Sequence, residues 1–377
     1  MRIALFYNLH FGGAKRAAYE QVKRLVERGH TVDVYTTDPY QDIFDLKSSS
    51  SSFNYYRYET HNGNIPFLSR FIKDLEVFIK YKNLHKVIAK DIDSRNYDIV
   101  ICHPDVITQA PYLTRYLQTK NAYYCQEPLR IAYEYILRPS KNIGNINYLY
   151  ELLTRSIRKK VDLFNVRSAT YTIASCYHVR ERMIEAYGVW SKISYLGVDE
   201  KLFLPNKAQK KQQVVFFGNK EEYNNGYDLA KQAISLLPKK YNLKLVVVPW
   251  RRENNKRLTD KELVGIYNKS LATFSLSRFE TFGLTPIESM SCATPVIATN
   301  VSGHRETVKD GEGGYLVDFD PGEIADKITQ LFENDKLRTE MGKKGREHIE
   351  NEWTWDKRIV EFENLLEKLI KDEEKKN

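Results

Sequence analysis

Residues 2–37 read RIALFYNLHFGGAKRAAYEQVKRLVERGHTVDVYTT. RIALFY is a short apolar strand, and Gly12-Gly13 breaks it. Beyond the glycines, Ala17, Ala18, Val22, Leu25 and Val26 recur at helical spacing until Gly29 ends the pattern. TVDVYTT is the next strand. A strand, a glycine turn, an amphipathic helix and a second strand form a β-α-β unit, which predicts a parallel, doubly wound sheet.

The pattern continues outward from this unit. YDIVICHPD (97–105) is a further strand, as is NAYYCQEP (121–128), which stops at Pro128. SSSSSFNYY (48–56) reads as a low-complexity loop without chemistry. LGVDEKLFLPNKAQKKQQ (196–213) reads as a linker. After it come strands VVFFGN and LKLVVVPW, helix DKELVGIYNKS, then strands LATFSLS, TPVIATN and GGYLVDF. GEIADKITQLFEND and WDKRIVEFENLLEKLIKDEEKK close the chain as charged helices. The 377 residues are enough for two consecutive α/β domains with a cleft between them. Ligands of such sheets bind at the carboxyl ends of strands.

Composition narrows the functional classes. MRIALFYNLHFGG is too short in its apolar run for a signal peptide, and no run reaches the ~18 apolar residues of a membrane span. Cys102, Cys125, Cys176 and Cys292 are scattered, with no C-x-x-C pair, so reduced cysteines in a cytoplasmic protein are expected. Residues 1–200 carry 28 basic and 21 acidic side chains (net +7), and residues 201–377 carry 30 and 28 (net +2). A basic first half suits an anionic lipid or a phosphorylated substrate. Nucleic acid is disfavoured because no reader motif accompanies the charge. A Rossmann dehydrogenase is disfavoured because no G-x-G-x-x-G follows a strand.

The chemistry concentrates in SRFETFGLTPIESMSCATPVIATN, residues 277–300. Thr285-Pro286-Ile287-Glu288 has the layout of a helix start, with Thr285 as cap and Glu288 completing a capping box. On that reading Glu288 only satisfies a backbone amide. On the other, Gly283 lets the backbone approach a ligand, and the helix amides hold a phosphate. Glu280 and Glu288 then accept hydroxyls on either side of it. A nucleotide sugar, with sugar, diphosphate and ribose in a row, fits this second arrangement.

SRFETFGLTPIESMSCATPVIATNVSGHRETVKDGEGGYLV (277–317) resembles the donor-site signature of the family 4 retaining glycosyltransferases, with its E-x7-E motif and GT-B fold. GGAKRAAYEQVKRLVERGHTVDVYT and SKISYLGVDEKLFLP extend the likeness over most of the chain. The resemblance implies two Rossmann-like domains facing each other across a cleft. Residues 1–195 would bind the acceptor and 205–355 the nucleotide sugar, with helix 356–377 crossing back to the first domain. By the same likeness Glu280 contacts the donor sugar, the amides of Phe282, Gly283 and Leu284 lie against sugar and diphosphate, and Glu288 holds the ribose. Thr285 belongs to the same donor-binding tip. Gly12 and Gly13 close over the diphosphate. Lys15, Arg16 and Arg130 are assigned to the acceptor.

Three positions depart from the family pattern. Asn219 and Asn225, in FFGNKEEYNNGYD, stand where an Arg and a Lys neutralise the leaving diphosphate. Lys220, Arg251/Arg252 or helix amides are the candidate replacements. Gln126 stands where a sugar-positioning histidine is expected, and it cannot carry a proton. VVVPWRREN replaces a glycine-rich turn. The implied reaction is transfer of a sugar from a UDP- or GDP-sugar to an acceptor hydroxyl with retention, without cofactor or metal, the leaving phosphate taking the acceptor proton. The acceptor would be a glycan or a lipid-linked oligosaccharide in polysaccharide assembly. A phosphorylase or epimerase on the same fold, and a catalytically weak nucleotide-sugar-binding subunit, are the competing readings.

Several other features have two readings each. The segment 67–90, with Arg70, Lys73, Lys80, Lys82, Lys86 and Lys90 beside Phe67, Phe71, Leu75, Phe78 and Ile79, is either a domain helix packed on its sheet or an interfacial helix on anionic lipid. The lipid reading makes the protein cytoplasmic and peripheral at the membrane. His103 either contacts substrate or is structural. Tyr123-Tyr124 reads as core, and Trp353 and Trp355 as anchors of the last helices. DID (91–93) and DFD (318–320) mimic a metal site but read as solvated surface.

Overall fold

The computed structural model describes residues 1–38, 43–59, 66–134, 144–249 and 258–372. They form two compact units, Met1–Ser194 with Ile359–Asn377, and Tyr195–Arg358.

The first unit is built on seven parallel strands: β1 (Arg2–Asn8), β2 (Thr31–Thr36), β3 (Ser52–Tyr55), β4 (Ile99–Asp105), β5 (Asn121–Cys125), β6 (Tyr171–Ala174) and β7 (Lys192–Ile193). Their order is β3-β2-β1-β4-β5-β6-β7, so the direction of winding reverses between β1 and β4. All seven residues of β4 and five of the six in β2 are buried, as expected for strands covered on both faces. Helix Gly13–Glu27 buries Ala17, Ala18, Val22 and Leu25. The serine-rich stretch read as a loop instead contributes β3, with Phe53 and Asn54 registered on Val34 and Tyr35. As an edge strand it needs little apolar sequence, which hid it. Tyr123 and Tyr124 are fully buried. The chain returns to this unit at Ile359, where Glu363 accepts Arg28 and, at 2.6 Å, His30, and Phe362 packs edge-on to Tyr124.

The second unit has five parallel strands: β8 (Gln213–Phe217), β9 (Lys244–Val248), β10 (Ala272–Ser275), β11 (Val296–Thr299) and β12 (Gly314–Val317), in the order β12-β11-β10-β8-β9. Winding reverses between β8 and β10. Val214, Phe216, Phe274, Ile297, Ile324 and Ile328 build its core. The presumed linker belongs to this unit from Tyr195 onward: Val198 bridges Thr354, Phe203 is fully buried, and Lys210 Nζ donates to Ser270 O and Thr294 Oγ1 at 2.8 Å. Trp353 and Trp355 are buried, and Trp353 Nε1 donates to His348 Nε2 at 2.9 Å.

Candidate functional site

The loops that follow β8 and β10 leave the carboxyl ends of two paired strands, at the winding switch of the second sheet. This is where an open α/β sheet leaves room for a ligand. Gly226 lies at φ +76°, and a Cβ there would sit 1.9 Å from Leu276 O, so the two loops touch through a glycine.

Gly283 (φ +94°) is the N-cap of helix Leu284–Ser291, and as a glycine it offers no side-chain cap. The capping-box reading is therefore corrected: Thr285 is the second residue of the helix. Pro286 is the third and has no N–H to lose at a position without an intrahelical partner. Glu288 is buried and accepts the Tyr267 hydroxyl at 2.9 Å. The amides at the start of this eight-residue helix are left to bind something other than their own helix.

The loop carrying Glu280 rests on the following turn. Gly303 N donates to Glu280 O at 2.9 Å, and a Cβ on Gly303 would lie 2.5 Å from Phe282 Cα. His304 is fully buried. Its Nδ1–H donates to Thr299 O at 3.0 Å, so Nε2 accepts the Ser275 hydroxyl at 2.9 Å. Burial pushes its pKa down to about 4, which keeps the ring neutral. The ring also crowds Gly283, 3.1 Å from where a Cβ would stand. Phe282 packs its ring on Trp353 (5.5 Å between centroids) and Tyr195 (6.3 Å). Arg278 forks onto Asp228 at 2.8 and 2.6 Å and stacks 3.8 Å above Tyr223, and the guanidinium holds the Asp228 carboxyl below its ordinary pKa.

Asn219 and Asn225 share one partner. Asn219 Nδ2 donates to Glu222 Oε1 at 2.6 Å, and Asn225 Nδ2 donates to Glu222 Oε2 at 3.1 Å. Lys220 Nζ lies 5.6 Å from the Tyr227 ring centroid. Arg251, Arg252 and the turn around Trp250 fall outside the described residues.

In the first unit, helix Gly13–Glu27 starts at the carboxyl end of β1, with Gly12 as N-cap. Of the two readings of His103, its surroundings match the structural one: it is fully buried, stacked 5.1 Å from Tyr124, with Nε2–H donating to Gln21 Oε1 at 2.9 Å. Burial pushes its pKa down to about 3. Its Nδ1 faces the Gln126 amide at 3.4 Å, and that amide donates to Ala14 O at 3.1 Å. His103 and Gln126 thus tie β4 and β5 to the first turn behind Gly12-Gly13. Lys15 is also corrected. It is 1% exposed and ion-paired to Asp38 at 2.8 Å, which leaves it no surface for an acceptor. Arg16 stacks 5.0 Å from Phe44, and Arg130 pairs with Glu134 at 2.8 Å.

The D-x-D mimics are structural. Asp93 accepts the amides of Gln118 and Thr119, and Asp320 caps helix Pro321–Glu333. Sequence reasoning missed Tyr267, Glu222, Arg278 and His304. The S-G-H turn at 302–304 carried a signal for His304, while nothing local linked Tyr267 to Glu288.

Two doubly wound parallel sheets, one with a glycine loop after its first strand and the other with a carboxylate-flanked helix tip, define a GT-B type protein. Comparison with known proteins agrees. Residues 11–201 match the model of Glycosyltransferase Family 4, and residues 255–348 that of Glycosyl transferases group 1. The chain belongs to glycosyltransferase family 4. It is 25% identical over 394 residues to the capsular polysaccharide biosynthesis glycosyltransferase CapM of Staphylococcus aureus, covering 89% of this chain and 99% of that one. It is 37% identical over 94 residues to the uncharacterized glycosyltransferase MJ1178 of Methanocaldococcus jannaschii, which is 25% of this chain and 26% of the relative. Such matches span only about a quarter of the relative's length. Among solved structures, Anabaena HepE in complex with UDP-glucose superposes with TM-score 0.70 at 14% identity, over 97% of this chain and 99% of that one.

Proposed function

We propose that the chain is a retaining glycosyltransferase that moves a sugar from a nucleoside diphosphate to an acceptor hydroxyl, in assembly of a polysaccharide or lipid-linked glycan. The observation that carries this reading is the Gly283 tip: a helix start whose N-cap is a glycine without a side chain, Glu280 before it and Glu288 inside it. The UDP-glucose bound to HepE supports a nucleotide-sugar donor. The amides of Phe282, Gly283 and Leu284 take the diphosphate, where the helix N-terminus favours negative charge. Glu288, oriented by Tyr267, accepts ribose hydroxyls. Glu280 orients the sugar, and the departing phosphate oxygen takes the acceptor proton, so no metal or protein base is needed. His103 and Gln126 are positioning residues for the Gly12-Gly13 loop.

Glu280→Gln loses transfer while keeping nucleotide affinity, and Glu288→Ala weakens nucleotide binding itself. Thermal shifts with UDP-, GDP- and ADP-sugars identify the donor, since a ligand at a hundredfold its Kd adds about 2.7 kcal/mol. Unaltered turnover in both variants rejects the assignment.

One observation favours a second reading, a weakly catalytic nucleotide-sugar-binding subunit. Glu222 holds Asn219 and Asn225, so the β8 loop brings a carboxylate where the family pattern has cations. Donor binding without hydrolysis or transfer would decide for it.

A further inference from the structure

Among the described residues no helix is long and apolar enough to cross a membrane. The first unit nevertheless shows solvent a broad apolar face. Helix Pro66–Glu76, the wider turn Val77–Tyr81 and helix Lys82–Asp93 run continuously and bury Asp74, Val77, Tyr81, His85 and Ile88. Phe71 (50%), Leu75 (45%) and Ile79 (51%) are left exposed, contrary to a helix with its whole apolar side on a sheet. Helix Asn145–Ser168 repeats the feature, with Ile146 (76%), Leu149 (68%), Leu153 (58%) and Ile157 (37%) exposed along one stripe.

The two stripes share a side. Arg70 meets Tyr150 and Glu151, while Asp74 accepts the Tyr150 hydroxyl at 2.7 Å and Arg158 at 2.6 Å, so the helices run alongside in the same direction. A turn of 100° per residue then carries the positions one after these contacts on the first helix, Phe71 and Leu75, to one side of the pair. It carries the positions one before them on the second, Leu149 and Ile157, to that same side. Monomeric proteins seldom leave a large contiguous apolar patch uncovered.

We propose that this two-helix face docks on a bilayer containing anionic lipid. Charge selects that occupant. Arg70, Lys73, Lys80, Lys86, Lys90, Lys159, Lys160 and Arg167 are exposed on these helices, whereas every acidic residue on them is buried or half-buried. Against a second copy of the chain, a two-fold interface would set this basic rim on itself. Against an anionic membrane, apolar insertion and rim charge act together. A pocket of about 220 Å³ opens between the same helices and the β4 and β5 ends, lined by Val77, Phe78, Gln109, Arg130, Arg158 and Val161 among others. On the transferase reading proposed above, an acceptor carried by lipid would reach this pocket from the docked surface.

The test is flotation of the full chain with vesicles of phosphatidylglycerol in phosphatidylcholine, compared with phosphatidylcholine alone, at low and high salt. The expected result is binding to the anionic vesicles only, falling at least about tenfold in high salt and on Leu149→Glu with Leu153→Glu. Circular dichroism and thermal shift by free UDP report on fold and donor site, and both stay unchanged in that variant. This separates failure of docking from failure of the donor assignment. Equal binding to neutral vesicles, no binding, or a sedimenting dimer that the same substitutions dissociate would each overturn the proposal.

Discussion

The Tyr267 hydroxyl donates to Glu288 Oε2 at 2.9 Å, and Glu288 is only 8% exposed. A buried carboxylate held in this way is oriented before any ligand arrives. One hydrogen bond contributes about 0.5–1.5 kcal/mol. Tyr267→Phe is therefore expected to weaken nucleotide binding about 2- to 10-fold, with kcat nearly unchanged. Calorimetric titration with the nucleoside diphosphate, beside steady-state kinetics, measures the split. A fall in kcat at constant affinity would contradict it.

Gly303 supports the sugar end. A Cβ at this position would lie 2.5 Å from Phe282 O and 2.6 Å from Thr281 O. Gly303→Ala must push the 280–283 backbone outward, and misplacement of about 1 Å costs up to about 100-fold. The expected result is a fall in kcat/KM of at least tenfold, on that same estimate, in protein that still melts cooperatively. Kinetics equal to the parent would remove the loop from the account.

Glu222 decides what its two asparagine neighbours can become. With Glu222 present, the double variant Asn219→Arg, Asn225→Lys puts both new cations on its carboxylate, and turnover changes little. Adding Glu222→Gln releases them toward the leaving group, and fixed cations there are worth about tenfold or more in rate. Comparing the double and triple variants in a donor-turnover assay checks this. A full gain in the double variant would show that Glu222 is irrelevant.

Asp162 makes stability depend on pH. It accepts the Ala110 amide at 3.0 Å and the Tyr187 hydroxyl at 2.7 Å, and burial pushes its pKa up to about 7. The folded chain therefore holds this proton more tightly than the unfolded chain. That stabilisation is complete below about pH 4 and is lost as pH rises through about 7, at up to about 1.4 kcal/mol per pH unit. Asp105, raised to about 6, contributes with the same sign. In urea melts across this range Asp162→Asn flattens the slope without abolishing it. An unchanged slope would mean that Asp162 is ionised throughout.

The β-α-β unit at residues 2–37 and the strands around Glu280 were legible because buried parallel strands and amphipathic helices impose periods on the sequence. β3 was not, since an edge strand of serines carries no such period. Helix 145–168 escaped because its apolar stripe faces solvent, interrupted by basic residues. At the site, Gly283 and the two glutamates announced themselves locally. The partners that set their geometry come from elsewhere: Tyr267 from the preceding helix, His304 from the next turn, and Gln21 beneath His103 from 82 residues away. Spacing along one strand or helix holds no record of such contacts. The same blindness made Lys15 look available when Asp38 had already claimed it.

The most direct measurement is a structure of the protein with an intact nucleotide sugar bound. The diphosphate is expected on the amides of Phe282–Leu284, with ribose hydroxyls on Glu288 and sugar hydroxyls on Glu280. A well-ordered nucleotide sugar anywhere else on the second sheet, with Glu280 and Glu288 untouched, would contradict it.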